Sequence, residues 1–215
     1  MARRVVRLSA AVVALCAPPA AALIVTSAAA ITPGYDSMSR TVSRLAVPGM
    51  PAAAAVDVAI GMTAMACLAL ALALDGHART ARAALVAAGL GFAVASLIHL
   101  DPLSAGATAT HRGGSGLAVS GLIAAALVLR RRYGVMSLVL GAAEVAVVIA
   151  GLALLATSFE AWGAWERVLL VIALLWTVLV AARIVWSEYT ASAARAMSSR
   201  SASYVPVSRV NSANR

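Results

Sequence analysis

The chain has 215 residues, of which 62% are apolar and only 12% charged, and its mean hydropathy is +0.93. A soluble domain carries about a quarter charged residues, so this chain lacks the polar surface to face water, and lipid is the solvent expected for most of it. The formal net charge of +9 points to nucleic acid only if the basic residues gather on one folded face. Here they sit between apolar runs, the pattern of membrane topology signals, so nucleic acid is not an expected partner.

A membrane-spanning helix needs about 20 predominantly apolar residues, and six segments meet that length: 8–31, 52–74, 83–100, 113–129, 135–157 and 168–186. The fold class expected is therefore all-α, a polytopic bundle of six transmembrane helices over residues 1–186, followed by a tail. The first span opens with "MARRVVR" and ends in "TSAAA", which resembles a secretory signal with a cleavage site near Ala30. Its apolar run is longer than a signal core, and Pro18-Pro19 interrupts it, which favours an uncleaved span with a packing kink.

Residues 32–51, "TPGYDSMSRTVSRLAVPGMP", form the long polar interruption of the first half. Met38, Val42 and Leu45 recur at helical spacing, with Ser39, Arg40, Ser43 and Arg44 opposite, and Asp36 or Ser37 is placed to cap the segment. Pro33-Gly34 and Pro48-Gly49 are stop signals. The expectation is a short amphipathic helix lying at the interface, anchored by Tyr35, with Arg40 and Arg44 facing lipid phosphates. The plainer alternative is a lid that closes the bundle.

Further along, Asp57 lies less than two turns into the second span, where an ionisable group calls for a partner; Arg40, Arg44 and His99 are the candidates. Cys16 and Cys67 fall inside apolar runs and read as small apolar filler. "IHLDP" places His99 and Asp101 at the end of the third span, and His111 and Arg112 precede the fourth. "HRGGSG" lacks the strand and the Lys-Ser/Thr ending of a phosphate-binding loop. Glu144 stands near the middle of the fifth span, where an uncompensated charge costs several kcal/mol; it is either protonated, hydrogen-bonded between helices, or part of a polar pathway. Glu160, Glu166 and Arg167 flank the start of the sixth span. Residues 187–215 are Ser-rich and Arg-spaced, the composition of a disordered tail.

Arginine placement gives the orientation. One side receives thirteen of the 17 basic residues, all arginine, and the other only Arg40, Arg44, Arg112 and Arg167. Positive charge is retained inside, so both termini are expected in the cytoplasm and the 32–51 segment outside, in a bacterial plasma membrane.

Three functions are open at this level. The first is a non-enzymatic component that engages lipid headgroups, a membrane protein partner or a second copy of itself through its outer cap; no cofactor is expected. The second is an outward-facing metal-dependent lipid hydrolase using His99, Asp101 and His111, although their spacing matches no zinc signature. The third is a small transporter working through Glu144, without a visible internal repeat.

"PGYDSMSRTVSRLAVPGMP" after the first span, "HLDP" ending the third and His111 before the fourth resemble the six-span prokaryotic membrane proteins of domain-of-unknown-function family 998. The likeness spans about 8–186. It implies the six-span fold and the importance of Tyr35, Asp36, Ser39, Ser43, Asp101 and His111, and it carries no activity. The family pattern Ser-Glu-Leu has an acid where this chain has Arg44.

Overall fold

A computed structural model describes residues 2–203. Every regular element among them is helical. Six helices are long and apolar enough to cross a membrane: α1 (Ala2–Ile31), α2 (Ala53–Ala73), α3 (Arg79–Leu97), α4 (Ala105–Tyr133), α5 (Val135–Leu154) and α6 (Trp162–Ser203). The protein is a multi-pass membrane protein. Helices adjacent in sequence pack on one another, and α6 returns between α5 and α1, touching α2 and α4 as well. The bundle is thereby a closed ring with α6 at its seam.

Helices α1, α4 and α6 exceed the expected apolar spans because polar residues cap or continue them. Ser104 accepts the Ala107 N–H (3.2 Å) and starts α4 well before residue 113. Helix α6 begins at Trp162 and runs beyond residue 186 to Ser203, so the first part of the expected tail is helical; residues 204–215 lie outside the described residues. Helix α1 runs through both Pro18 and Pro19 and buries Ala10, Ala11 and Ala14 in the core.

Small residues bring α3 and α4 together. A Cβ at Gly91 would lie 2.5 Å from the Ala118 N, and one at Gly121 would lie 2.5 Å from the Ala84 O. Such close approach supplies packing energy where lipid removes the hydrophobic drive between helices. A buried polar chain crosses three helices: Trp176 Nε1 donates to Ser137 Oγ (2.8 Å), which donates to the Ala126 carbonyl (2.8 Å). Glu144 also faces inward at 1% exposure, and neither of its oxygens has a hydrogen-bond partner among the described residues.

The end of the bundle opposite the 32–51 segment is tied by arginines. Arg4 and Arg7 reach Glu188 at 3.0 and 3.1 Å, Arg7 donates to the Ala73 carbonyl, and Arg132 pairs with Asp75. The Arg132 hydrogen bond holds the Asp75 carboxyl below its ordinary range.

Candidate functional site: a cap over an apolar cavity

Residues 32–52 do not form the expected amphipathic helix. They make a series of turns with one 3-10 turn, Val42–Arg44. The reason lies in where the backbone carbonyls go. A helix would use the carbonyls of residues 37–41 internally, whereas here the first turns of α6 take those of Ser37, Met38 and Arg40. Arg167 Nη1 donates to the carbonyls of Ser37 (2.7 Å), Arg40 (3.1 Å) and Gly163 (2.9 Å), and its Nη2 donates to Tyr35 Oη (2.8 Å). The Ala164 N–H donates to the Met38 carbonyl (3.0 Å), and the Val42 N–H donates to the Glu166 carboxylate. Gly163 permits this docking, since a Cβ there would lie 2.2 Å from the Arg40 carbonyl oxygen.

Inside the segment, Asp36 does cap, but it caps a turn. Its carboxylate accepts from the Met38 and Ser39 amides (3.0 and 3.2 Å) and from Ser39 Oγ (2.6 Å). The Ser39 hydroxyl, then the Met38 amide, hold its pKa below the ordinary carboxylate range. Tyr35 is an internal clamp, with its hydroxyl donating toward the Arg40 and Thr41 carbonyls (both 2.9 Å). Burial raises its phenol above the ordinary value, against the opposing pull of Arg167. Val42 and Leu45 face the core, while Met38 of the same periodic set is 60% exposed. Arg40 and Arg44 are exposed, and neither forms an ion pair among the described residues.

The histidines separate. His111 lies inside α4 at 2% exposure, in the second turn of the helix, whereas the sequence places it before the fourth span. Its Nδ1 donates to the Ile98 carbonyl (2.7 Å), because a carbonyl only accepts, and its Nε2 hydrogen-bonds Ser43 Oγ (2.9 Å). His111 thus ties α4, the end of α3 and the cap. His99 pairs instead with Asp57 (2.9 Å), which selects one of the three partners considered for that acid. Asp101 closes the turn between α3 and α4, accepting the Leu103 N–H (2.8 Å). A metal requires its ligands to converge within about 2.0–2.6 Å of one point. Among the described residues no three His, Cys, Asp or Glu side chains are grouped in that way. The ligand set of the hydrolase reading does not assemble.

Beneath the cap lies a cavity of about 470 Å³ to which all six helices contribute. Val42 and Ser43 form part of its roof, with Glu166 and Arg167 beside them. Its walls are largely apolar, including Ile60, Phe92, Leu170 and Leu174. Glu166 interacts with the Ser43 side chain as well as with the Val42 amide. The volume lies in the range of about 300–1,000 Å³ usual for small-molecule sites.

A family model described as "Protein of unknown function (DUF998)" matches residues 15–183. The chain belongs to that family. The match begins inside α1 and ends inside α6, so this DUF998 protein carries the family's domain across the whole ring and the cap. No curated protein and no solved structure matches it.

In this DUF998 protein the sequence places Glu166 and Arg167 at the start of the sixth span without assigning them a partner, and it leaves Gly163 unremarked. Their signal was present in "WGAWER". A Glu-Arg pair within a turn or so of the start of an apolar span is costly unless partnered, and a glycine three residues earlier shares their helix face.

Proposed function

We propose that this DUF998 protein is a non-enzymatic membrane component that engages anionic lipid headgroups through its cap. The observation that carries the reading is the exposure of Arg40 and Arg44, neither in an ion pair among the described residues, on a segment clamped to α6 by Arg167. Arginine presents a planar fork suited to phosphate oxygens, and each basic residue near an anionic leaflet contributes about 1 kcal/mol. Exposed Met38 beside them gives the cap an apolar contact at the same level. The distribution of arginine supports a plasma-membrane orientation with both termini cytoplasmic and the cap outward.

The double variant Arg40→Ala/Arg44→Ala tests this. Purified from membranes, it is expected to lose most of the anionic lipid that co-purifies with the native protein, while its zwitterionic lipid is unchanged. Unchanged anionic lipid would overturn the headgroup reading. If a protein partner were lost instead, the cap would be assigned to protein contact.

A further inference from the structure

The cavity under the cap has features that the surface arginines do not use. It lies wholly in the cap-side half of the bundle: its lining residues fall near the C-terminal ends of α1 and α5 and the N-terminal ends of α2 and α6. Its roof is closed to the water side, because Val42, Leu45 and Ala46 are buried at 5%, 0% and 1% and Arg167 fastens the segment from above. Its sides are less closed. Gly116 and Ser120 of α4 and Val171 of α6 line the cavity and are also exposed on the outer surface of the helices. Nothing stands within 4 Å of where a Gly116 Cβ would be. These positions lie within membrane spans, so the opening faces lipid.

The polar groups are unevenly placed. At the cap end the cavity presents the Glu166 carboxyl and the Ser43 hydroxyl. The Ser43 hydroxyl lies 2.9 Å from His111 Nε2 and also hydrogen-bonds the Glu166 carboxyl, so it is already engaged between these two side chains. The lining cation, Arg167, is directed at three carbonyls and the Tyr35 hydroxyl. Ser115 and Thr63 give their hydrogens to the carbonyls of His111 and Ala59. At the roof the Glu166 carboxyl therefore stands above apolar walls with the neighbouring cation already engaged, an arrangement complementary to an amphiphile with a donating head and unsuited to a phosphate, whose oxygens would face the carboxyl.

We infer that the cavity holds the chain of a single-tailed membrane amphiphile, entering laterally past Gly116 and Ser120, whose hydroxyl or ammonium head donates to Glu166. This rests on the lipid-engaging reading above but concerns a different ligand and different residues from the surface arginines. Occupancy would place the head directly against the cap turn that carries Ser43, between the exposed Arg40 and Arg44.

The test uses the full-length protein in phosphatidylcholine nanodiscs with three diazirine-bearing probes of equal chain length: a long-chain alcohol, a long-chain amine and an alkyl phosphate. The alcohol or the amine is expected to label peptides of α4 and α6 saturably, with competition by its unlabelled counterpart. The phosphate is expected to label about tenfold less, the factor that one hydrogen bond to a charged group commands. Gly116→Trp, at a position where a Cβ meets nothing within 4 Å, is expected to abolish labelling, and Ser120→Trp serves if that variant fails to fold. Glu166→Gln keeps an oxygen for the Val42 amide; a tenfold loss of amine labelling there assigns the ammonium head, and retention of alcohol labelling assigns the hydroxyl. The inference is overturned if folded protein shows no saturable labelling, if the phosphate labels as well as the others, or if labelling survives both tryptophan variants. Cavity labelling that persists in Arg40→Ala/Arg44→Ala separates this ligand from the surface headgroup.

Discussion

Arg167 has three cap or helix carbonyls and one phenol as partners, and the first lies 130 residues away in sequence. Removing it leaves several partly buried carbonyls without a donor, each a cost of about 1–3 kcal/mol when no water replaces the bond. Arg167→Ala is expected to destabilise by about 2–4 kcal/mol in thermal unfolding in detergent and to speed tryptic cleavage after Arg40 and Arg44. Arg167→Lys is expected to recover only part of the loss, since an ammonium lacks the fork that reaches several acceptors at once. Cleavage as slow as in the native protein would show that the cap is held by its other contacts. At this scale the sequence was readable where partners are local, as with Asp36 and its turn. It was silent on the pairing of Tyr35 with Arg167, which depends on two elements meeting from opposite parts of the chain.

At the scale of elements, glycine and alanine at spans were readable as close-packing residues, but not which of them are in contact. Gly91 and Gly121 meet the backbone of the facing helix, whereas Gly61 and Gly116 have open space. Gly91→Ala is accordingly expected to lower stability by about 1–3 kcal/mol. Gly116→Ala is expected to be neutral or stabilising by up to about 1 kcal/mol through helix propensity. The difference in thermal midpoint between the two variants measures this; equal effects would refute the assigned α3–α4 contact. The 32–51 segment teaches the converse lesson. Its periodicity at Met38, Val42 and Leu45 is genuine, and two of the three are buried, yet the segment is not a helix because α6 competes for its carbonyls.

At the scale of the molecule, the ring of six helices has two chemically distinct ends. One is held by Arg4, Arg7 and Arg132 on Glu188 and Asp75, and the other by the cap. The proposed orientation makes a direct prediction in a Cys16→Ser/Cys67→Ser background. A membrane-impermeant maleimide on intact cells is expected to label Ser39→Cys, and Ala78→Cys only after permeabilisation. The reverse pattern would invert the assignment and place the cavity at the inner leaflet.

The sequence by itself determined that this is a six-span helical membrane protein with a polar segment after the first span, because span length and hydropathy are sums over neighbouring residues. It also pointed to the residues that matter there, from Tyr35 to His111, because charged and hydrogen-bonding groups are rare in such a chain. Only the tertiary structure decided what they do together. It sent His99 to Asp57 and His111 to Ser43, docked the cap on Gly163, Glu166 and Arg167, and left a cavity beneath it. The physical reason is that each of these depends on which helix faces meet across the ring, and hydropathy is nearly blind to rotation when all faces of a span are apolar.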